Sequence, residues 1–147
     1  QRLDVFGTDP ASFKAVLAME KYVRNGSLDA SLRNLIKIRA SQINGCAFCL
    51  DMHNKEAIDA GEDTRRLFVL SAWREAPDLY TAREQAAIAL TESVTRIGEA
   101  GVPDEVWSRV TAEYSDQEIV ELLMVISAIN VWNRLAVSTH QYLPERE

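Results

Sequence analysis

Histidine and cysteine are scarce in this chain, with two of each among 147 residues. Two cysteines cannot staple a small secreted domain, and in a reducing compartment a C-x-x-C spacing points to redox or metal chemistry. No basic stripe interleaved with aromatics is present. With a net charge of -6, from 16 basic and 22 acidic residues, nucleic acid is not an expected partner. The longest apolar stretches are broken by charged or polar residues well short of about 18 positions, so no membrane-spanning helix is expected. Arg2, Asp4, Asp9 and Lys14 interrupt any signal-peptide apolar region, and the expected compartment is cytoplasmic. Sustained strand alternation is missing, as is any solenoid-type repeat.

What remains is a helical pattern. The length fits one domain, 1–147, with a core of its own, and a composition 47% hydrophobic and 26% charged is ordinary for a globular chain. Thr8-Asp9-Pro10 opens a first helix, whose apolar stripe includes Phe13, Val16 and Leu17 and ends at Asn25-Gly26. Ser27 or Asp29 caps a second, which Asn44-Gly45 interrupts. A third runs from about Cys46 to Ala60 with Gly61 as its C-terminal cap, and a fourth from Asp63 through Trp73 to a stop at Ala76-Pro77. Thr81-Ala82-Arg83-Glu84 matches a capping box and opens a fifth, with Ala87, Leu90, Val94 and Ile97 on one face. Pro103 begins a short sixth containing Trp107. A second capping box, Ser115 to Glu118, starts the longest and most apolar helix, expected in the core or in a subunit interface. The fold class is therefore all-α, with six to seven helices. A thioredoxin fold needs strands this pattern does not offer.

Nearly all the redox-capable chemistry falls within Asn44-Gly45-Cys46-Ala47-Phe48-Cys49-Leu50-Asp51-Met52-His53. On a helix, Cys46 and Cys49 are one turn apart, as are Cys49 and His53, so the three side chains share a face. A thiol reacts as thiolate, and an unperturbed cysteine, with a pKa of about 8.5, is mostly protonated at neutral pH. The helix N-terminus can acidify Cys46, whereas His53 can acidify Cys49 as ion pair or general base. The dipole argument favours Cys46 as nucleophile and the histidine argument favours Cys49. A thiolate attacking a hydroperoxide becomes a sulfenic acid, which a second thiol can convert to a disulfide with release of water.

The run from Leu35 through Arg39 and Gly45-Cys46-Ala47-Phe48-Cys49 to His53 resembles the core motif of the AhpD-like alkylhydroperoxidases, within the carboxymuconolactone decarboxylase superfamily. Arg83-Glu84-Gln85-Ala86-Ala87 and Ile129-Asn130-Val131-Trp132-Asn133-Arg134-Leu135 read like the same family. The resemblance implies a peroxidase with Cys49 as the peroxidatic sulfur, Cys46 as its disulfide partner and proton donor, and His53 in the proton relay. It also implies a peroxide substrate, an external thiol or redox protein as reductant, no bound organic cofactor, and a homo-oligomer, trimeric or hexameric. Two positions depart from the pattern. Asn34 stands where the founding enzyme has a glutamate twelve residues before the first cysteine, and Phe48 replaces a histidine. Glu84 is a candidate replacement acid, although its place in the capping box supplies a purely structural reading.

Rival readings are a pair of buried small hydrophobes, a zinc site, a non-peroxidatic thiol–disulfide redox, metal-binding or oxidation-sensing module, or a decarboxylase-like protein. Cys46, Cys49 and His53 supply only three zinc ligands. His140, near the other end of the chain, is expected on the surface. Trp73, Trp107 and Trp132 read as packing residues, with Trp132 also a candidate for the active-site wall or a subunit contact.

Overall fold

A computed structural model describes residues 1–146, in which every regular element is helical. In chain order these are α1 (Val5–Thr8), α2 (Pro10–Arg24), α3 (Ala30–Asn44), α4 (Ala47–Asp59), α5 (Thr64–Phe68), α6 (Ala82–Thr95), α7 (Asp104–Glu113) and α8 (Asp116–Thr139). Two 3₁₀ segments, Leu70–Glu75 and Pro77–Leu79, fill the connection between α5 and α6. The helix starts follow the capping chemistry of the sequence. Asp9 caps α2 with Pro10 in the first turn, Asp29 caps α3, and both capping boxes form, at α6 and α8.

Three expectations are corrected. The fourth helix is not continuous to Trp73. It ends at Phe68, with Val69 as its cap, and the chain continues as 3₁₀ turns, with non-helical dihedrals at Ala72. Ile97 lies beyond the end of α6 and is 64% exposed, and Trp107 also has a large exposed surface. Asp116–Thr139 is long and apolar enough by composition to cross a membrane, because Asp116, Glu118 and Glu121 cluster at its start and only Arg134 follows. Half of its apolar window is nevertheless buried inside the bundle.

The central element is α3, which packs against α4, α6 and α8. Residues 35–41 are all buried, so the helix has no solvent face over two turns. That stretch includes Lys37 and Arg39, and each charge meets a carboxylate from a neighbour. Lys37 Nζ lies 3.0 Å from Glu20 on α2, and Arg39 Nη2 lies 3.4 Å from Glu92 on α6. Glu92 is the hub of the second pair, receiving the Trp73 indole N–H and the guanidinium groups of Arg74 and Arg96.

Burial pushes the Glu92 carboxyl up, but the Trp73 hydrogen bond and the Arg39 and Arg74 charges outweigh it and hold the group below its ordinary 4.5. The stability Glu92 contributes is thus complete above pH 4.5 and lost as pH falls through the lower folded value. Glu92→Ala is expected to cost about 3–5 kcal/mol by leaving buried Arg39 unpaired. Urea unfolding between pH 3 and 7 checks both points: the variant's stability curve should fall less steeply below the carboxylate range than the wild type's.

Candidate active site at the Cys46–Cys49 disulfide

The site begins with the end of α3. Gly45 adopts a left-handed conformation, φ 66°, and the Cys46 N–H reaches back to the Ser41 carbonyl at 3.0 Å, closing a Schellman motif. A residue with a Cβ is disfavoured there, so the glycine that stops α3 is a geometric requirement. The last residue of α3 is tied to α8 as well. Asn44 Nδ2 donates to the side-chain oxygens of Asn130 and Asn133, each at 2.9 Å, and Asn133 is fully buried. The chain therefore turns at a fixed point, and Cys46 falls at the N-cap of α4.

As N-cap, Cys46 places its Sγ over the first turn, where it accepts the Cys49 backbone N–H at 3.3 Å. Cys46 and Cys49 are joined as a disulfide. Both sulfurs are nearly enclosed, with Cys46 1% and Cys49 2% exposed, in a small cluster with Ala40, Ile129 and Ala136. His53, 5% exposed, follows one turn below Cys49. Its Nδ1 lies 2.9 Å from Glu56 Oε2. The hydrogen bond to His53 holds the Glu56 carboxyl below its usual value, against burial and with help from the charges of His53, Lys37 and Arg24.

A cavity of about 340 Å³ opens beside Cys49 and His53. Its apolar wall is built by Phe6, Phe13, Leu17 and Trp132, and the three aromatic rings touch at centroid distances of 5.1 to 6.0 Å. The buried Lys37–Glu20 pair lines the same cavity, with the second Glu20 oxygen accepting the Trp132 indole N–H at 3.1 Å. A second cavity, about 280 Å³, lies on the Cys46 side and is lined by Gly45, Ala47, Val137 and His140, with Phe48, Ala136 and Gln141 shared between the two.

The structure thus brings Cys46, Cys49 and His53 together and leaves Glu84 elsewhere. The Glu84 carboxylate pairs with Arg66 and closes the capping box onto Thr81, in an environment that shares no residue with either cavity at the disulfide. Burial raises its carboxyl, while the Arg66 and Thr81 hydrogen bonds prevail and lower it, as suits a permanent ion-pair partner. Asn34 borders a different depression, beside Gly61. Glu20 and Lys37 were not singled out from sequence, although a signal existed. Glu20 stands at helical spacing with Val16, Leu17 and Val23 on an apolar stripe, and Lys37 interrupts a run of core residues. His140 is exposed, as expected, yet it borders the cavity of Cys46, a proximity only the packing of α8 reveals. Among the described residues no group of three or more His, Cys, Asp or Glu is arranged to hold a metal ion.

A helical bundle that closes a C-x-x-C disulfide at a helix start, one turn above a buried histidine, defines an AhpD-like architecture. The chain belongs to the carboxymuconolactone decarboxylase family, whose model matches residues 10–93. It is 42% identical over 138 residues to the uncharacterized protein YdfG of Bacillus subtilis, spanning 94% of this chain and 93% of that one. Its fold matches that of ATU0492 from Agrobacterium tumefaciens, a protein of unknown function described as a candidate antioxidant defence protein AhpD. The TM-score is 0.94, with 43% identity and 99% of each chain covered. The debrominase Bmp8 shares the fold at a TM-score of 0.83 and 18% identity, over 95% of this chain and 74% of that one.

The buried pair at the cavity floor makes a stability prediction. Lys37→Met leaves the Glu20 carboxylate with only the Trp132 N–H and should cost about 3–5 kcal/mol, whereas adding Glu20→Leu should recover most of the loss. Urea midpoints of the single and double variants check this. Equal losses in both would contradict it.

Proposed function

We propose that the protein is a thiol-dependent peroxidase that reduces organic or hydrogen peroxides and cycles through the Cys46–Cys49 disulfide. The observation that carries this reading is the closed disulfide at an apolar cavity that also holds a histidine and a buried carboxylate–ammonium pair. The AhpD description of the Agrobacterium relative supports the same chemistry.

In the reduced protein Cys49, on the cavity side with His53, is the attacking thiolate. Its sulfur attacks the distal oxygen of the hydroperoxide, the O–O bond breaks, and Cys49 becomes a sulfenic acid while the alkoxide leaves. The leaving oxygen takes the proton that His53 removed from the Cys49 thiol, with the Glu56 carboxylate orienting the imidazole. The Cys46 thiol then condenses with the sulfenic acid, a molecule of water departs, and the disulfide seen in the structure forms. An external dithiol or redox protein returns the two electrons. The apolar wall suits a hydroperoxide with a hydrocarbon body. A cytoplasmic setting and a homo-oligomeric assembly belong to the same reading, as do the absence of an organic cofactor and of nucleic-acid or membrane partners. A second reading, a thiol–disulfide redox module without peroxide turnover, is favoured by the near-complete enclosure of both sulfurs.

Cys49→Ser should abolish peroxide consumption, and Cys46→Ser should accumulate a sulfenic acid on Cys49 that dimedone captures for mass spectrometry. A dimedone adduct on Cys46 in the Cys49→Ser variant would reverse the roles. His53→Gln should move the pH profile of Cys49 alkylation upward, and an unmoved profile would remove His53 from the relay.

A further inference from the structure

The two cavities meet the disulfide from different sides. Cys49 belongs to the larger one, with Leu17, His53 and Glu20, and Cys46 belongs to the smaller one, with Val137 and His140. His140 also carries a backbone feature shared by no other non-glycine residue among the described ones, a left-handed φ of 51°. The fold holds it there firmly. The His140 N–H reaches the end of α8, Gln141 N–H bonds to the Ala136 carbonyl at 3.0 Å, and the Arg2 N–H bonds to the Thr139 carbonyl at 2.7 Å. Such a conformation is strained for a residue with a Cβ and persists because the surroundings fix it. Its consequence is an imidazole at the mouth of the cavity over Cys46.

The geometry points to a division of labour: peroxide enters on the Cys49 side, and the reducing thiol, a small-molecule thiol, enters on the Cys46 side with His140 as its base. This rests on the peroxidase reading for the oxidative half of the cycle. The reductive half runs through two exchanges. His140 takes the proton of the incoming thiol, the thiolate attacks Cys46 Sγ, and a mixed disulfide forms as the Cys46–Cys49 bond breaks. Cys49 leaves as thiolate, next to His53. A second thiol, or the second sulfur of a dithiol, gives up its proton, which ends on the Cys49 thiolate, attacks the small-molecule sulfur of the mixed disulfide and releases an oxidised small molecule. Cys46 departs as thiolate and recovers the proton held on His140. Two thiols are oxidised to one disulfide and the protein gains two electrons and two protons. A cavity of about 280 Å³ over a sulfur that is 1% exposed admits a small thiol more readily than the face of a folded protein.

The test separates the half-reactions. Oxidised protein is reduced with dithiothreitol and with glutathione, and separately the reduced protein is oxidised with cumene hydroperoxide, both followed by quenched-flow thiol counting. Val137→Trp, in the Cys46 cavity, should lower the ratio of reduction rate to oxidation rate at least tenfold, and Leu17→Trp, in the Cys49 cavity, should raise it. Ratios that stay within twofold of wild type in both variants would overturn the proposal. His140→Gly keeps the left-handed backbone free of strain. It should slow reduction by about 10²-fold, with recovery on adding imidazole. Reduction at the wild-type rate, or slow reduction that imidazole does not restore, would remove His140 from the step. Failure of cumene hydroperoxide to oxidise the wild-type thiols would instead count against the peroxidase reading, while the reduction of His140→Gly, which involves no peroxide, would still decide whether His140 is the base.

Discussion

Lys37 and Glu20 form the contact on which the rest of the arrangement depends. An ammonium group in the middle of a helix with no solvent face would be costly without a carboxylate beside it, and α2 supplies that carboxylate. The pair fixes α2 against α3. It also draws in Trp132 from α8 through the second Glu20 oxygen, and Trp132 in turn stacks with Phe6 and Phe13. One ion pair thereby joins α2, α3 and α8, closes one wall of the cavity, and places a carboxylate among the lining residues of Cys49 and His53. The same residues that resolve an electrostatic problem in the core give the site an enclosed ion pair.

The second constraint is the stop at Gly45. Because α3 is held from all sides, its end is positioned by the core, and the left-handed turn converts that position into a defined N-cap for α4. Cys46 then has its sulfur over the first turn and Cys49 one turn further on, close enough for the disulfide. The Asn44–Asn130–Asn133 cluster secures this junction to α8, whose C-terminal end returns to the Cys46 side and delivers His140. The Cys49 cavity is therefore bounded by α2, α4 and Trp132 of α8, and the Cys46 cavity by the α3–α4 junction and the end of α8.

Much of this was legible in the residues. The caps Asp9, Asp29, Thr81 and Ser115 and the stops Gly26, Gly45 and Gly61 carry local chemistry, so the helix starts from α2 onward could be read directly, whereas the short α1 was not foreseen. The Cys46–Cys49–His53 face follows from helical spacing. The break at Val69 was not legible, because the switch from α to 3₁₀ turns depends on how Leu70 and Trp73 enter the core. The position of Glu84 away from the disulfide was not legible for a related reason. Glu84 lies in a family-like segment, but its partners Thr81 and Arg66 occupy it, while Glu20 reaches the site only through the packing of α2 on α3. His140 lies far along the chain from Cys46, and no periodicity links them. Distance in sequence hid what the bundle brings together.

The central claim is that the two sulfurs act as one redox unit toward peroxide at the expense of no other group. Titrating the fully reduced protein with measured amounts of cumene hydroperoxide, while counting free thiols and assaying residual peroxide, tests it most directly. The expected result is two thiols lost per peroxide consumed, with the intramolecular Cys46–Cys49 disulfide as the product. Two thiols that survive an equivalent of peroxide, or stoichiometric zinc holding them in the purified protein, would contradict it.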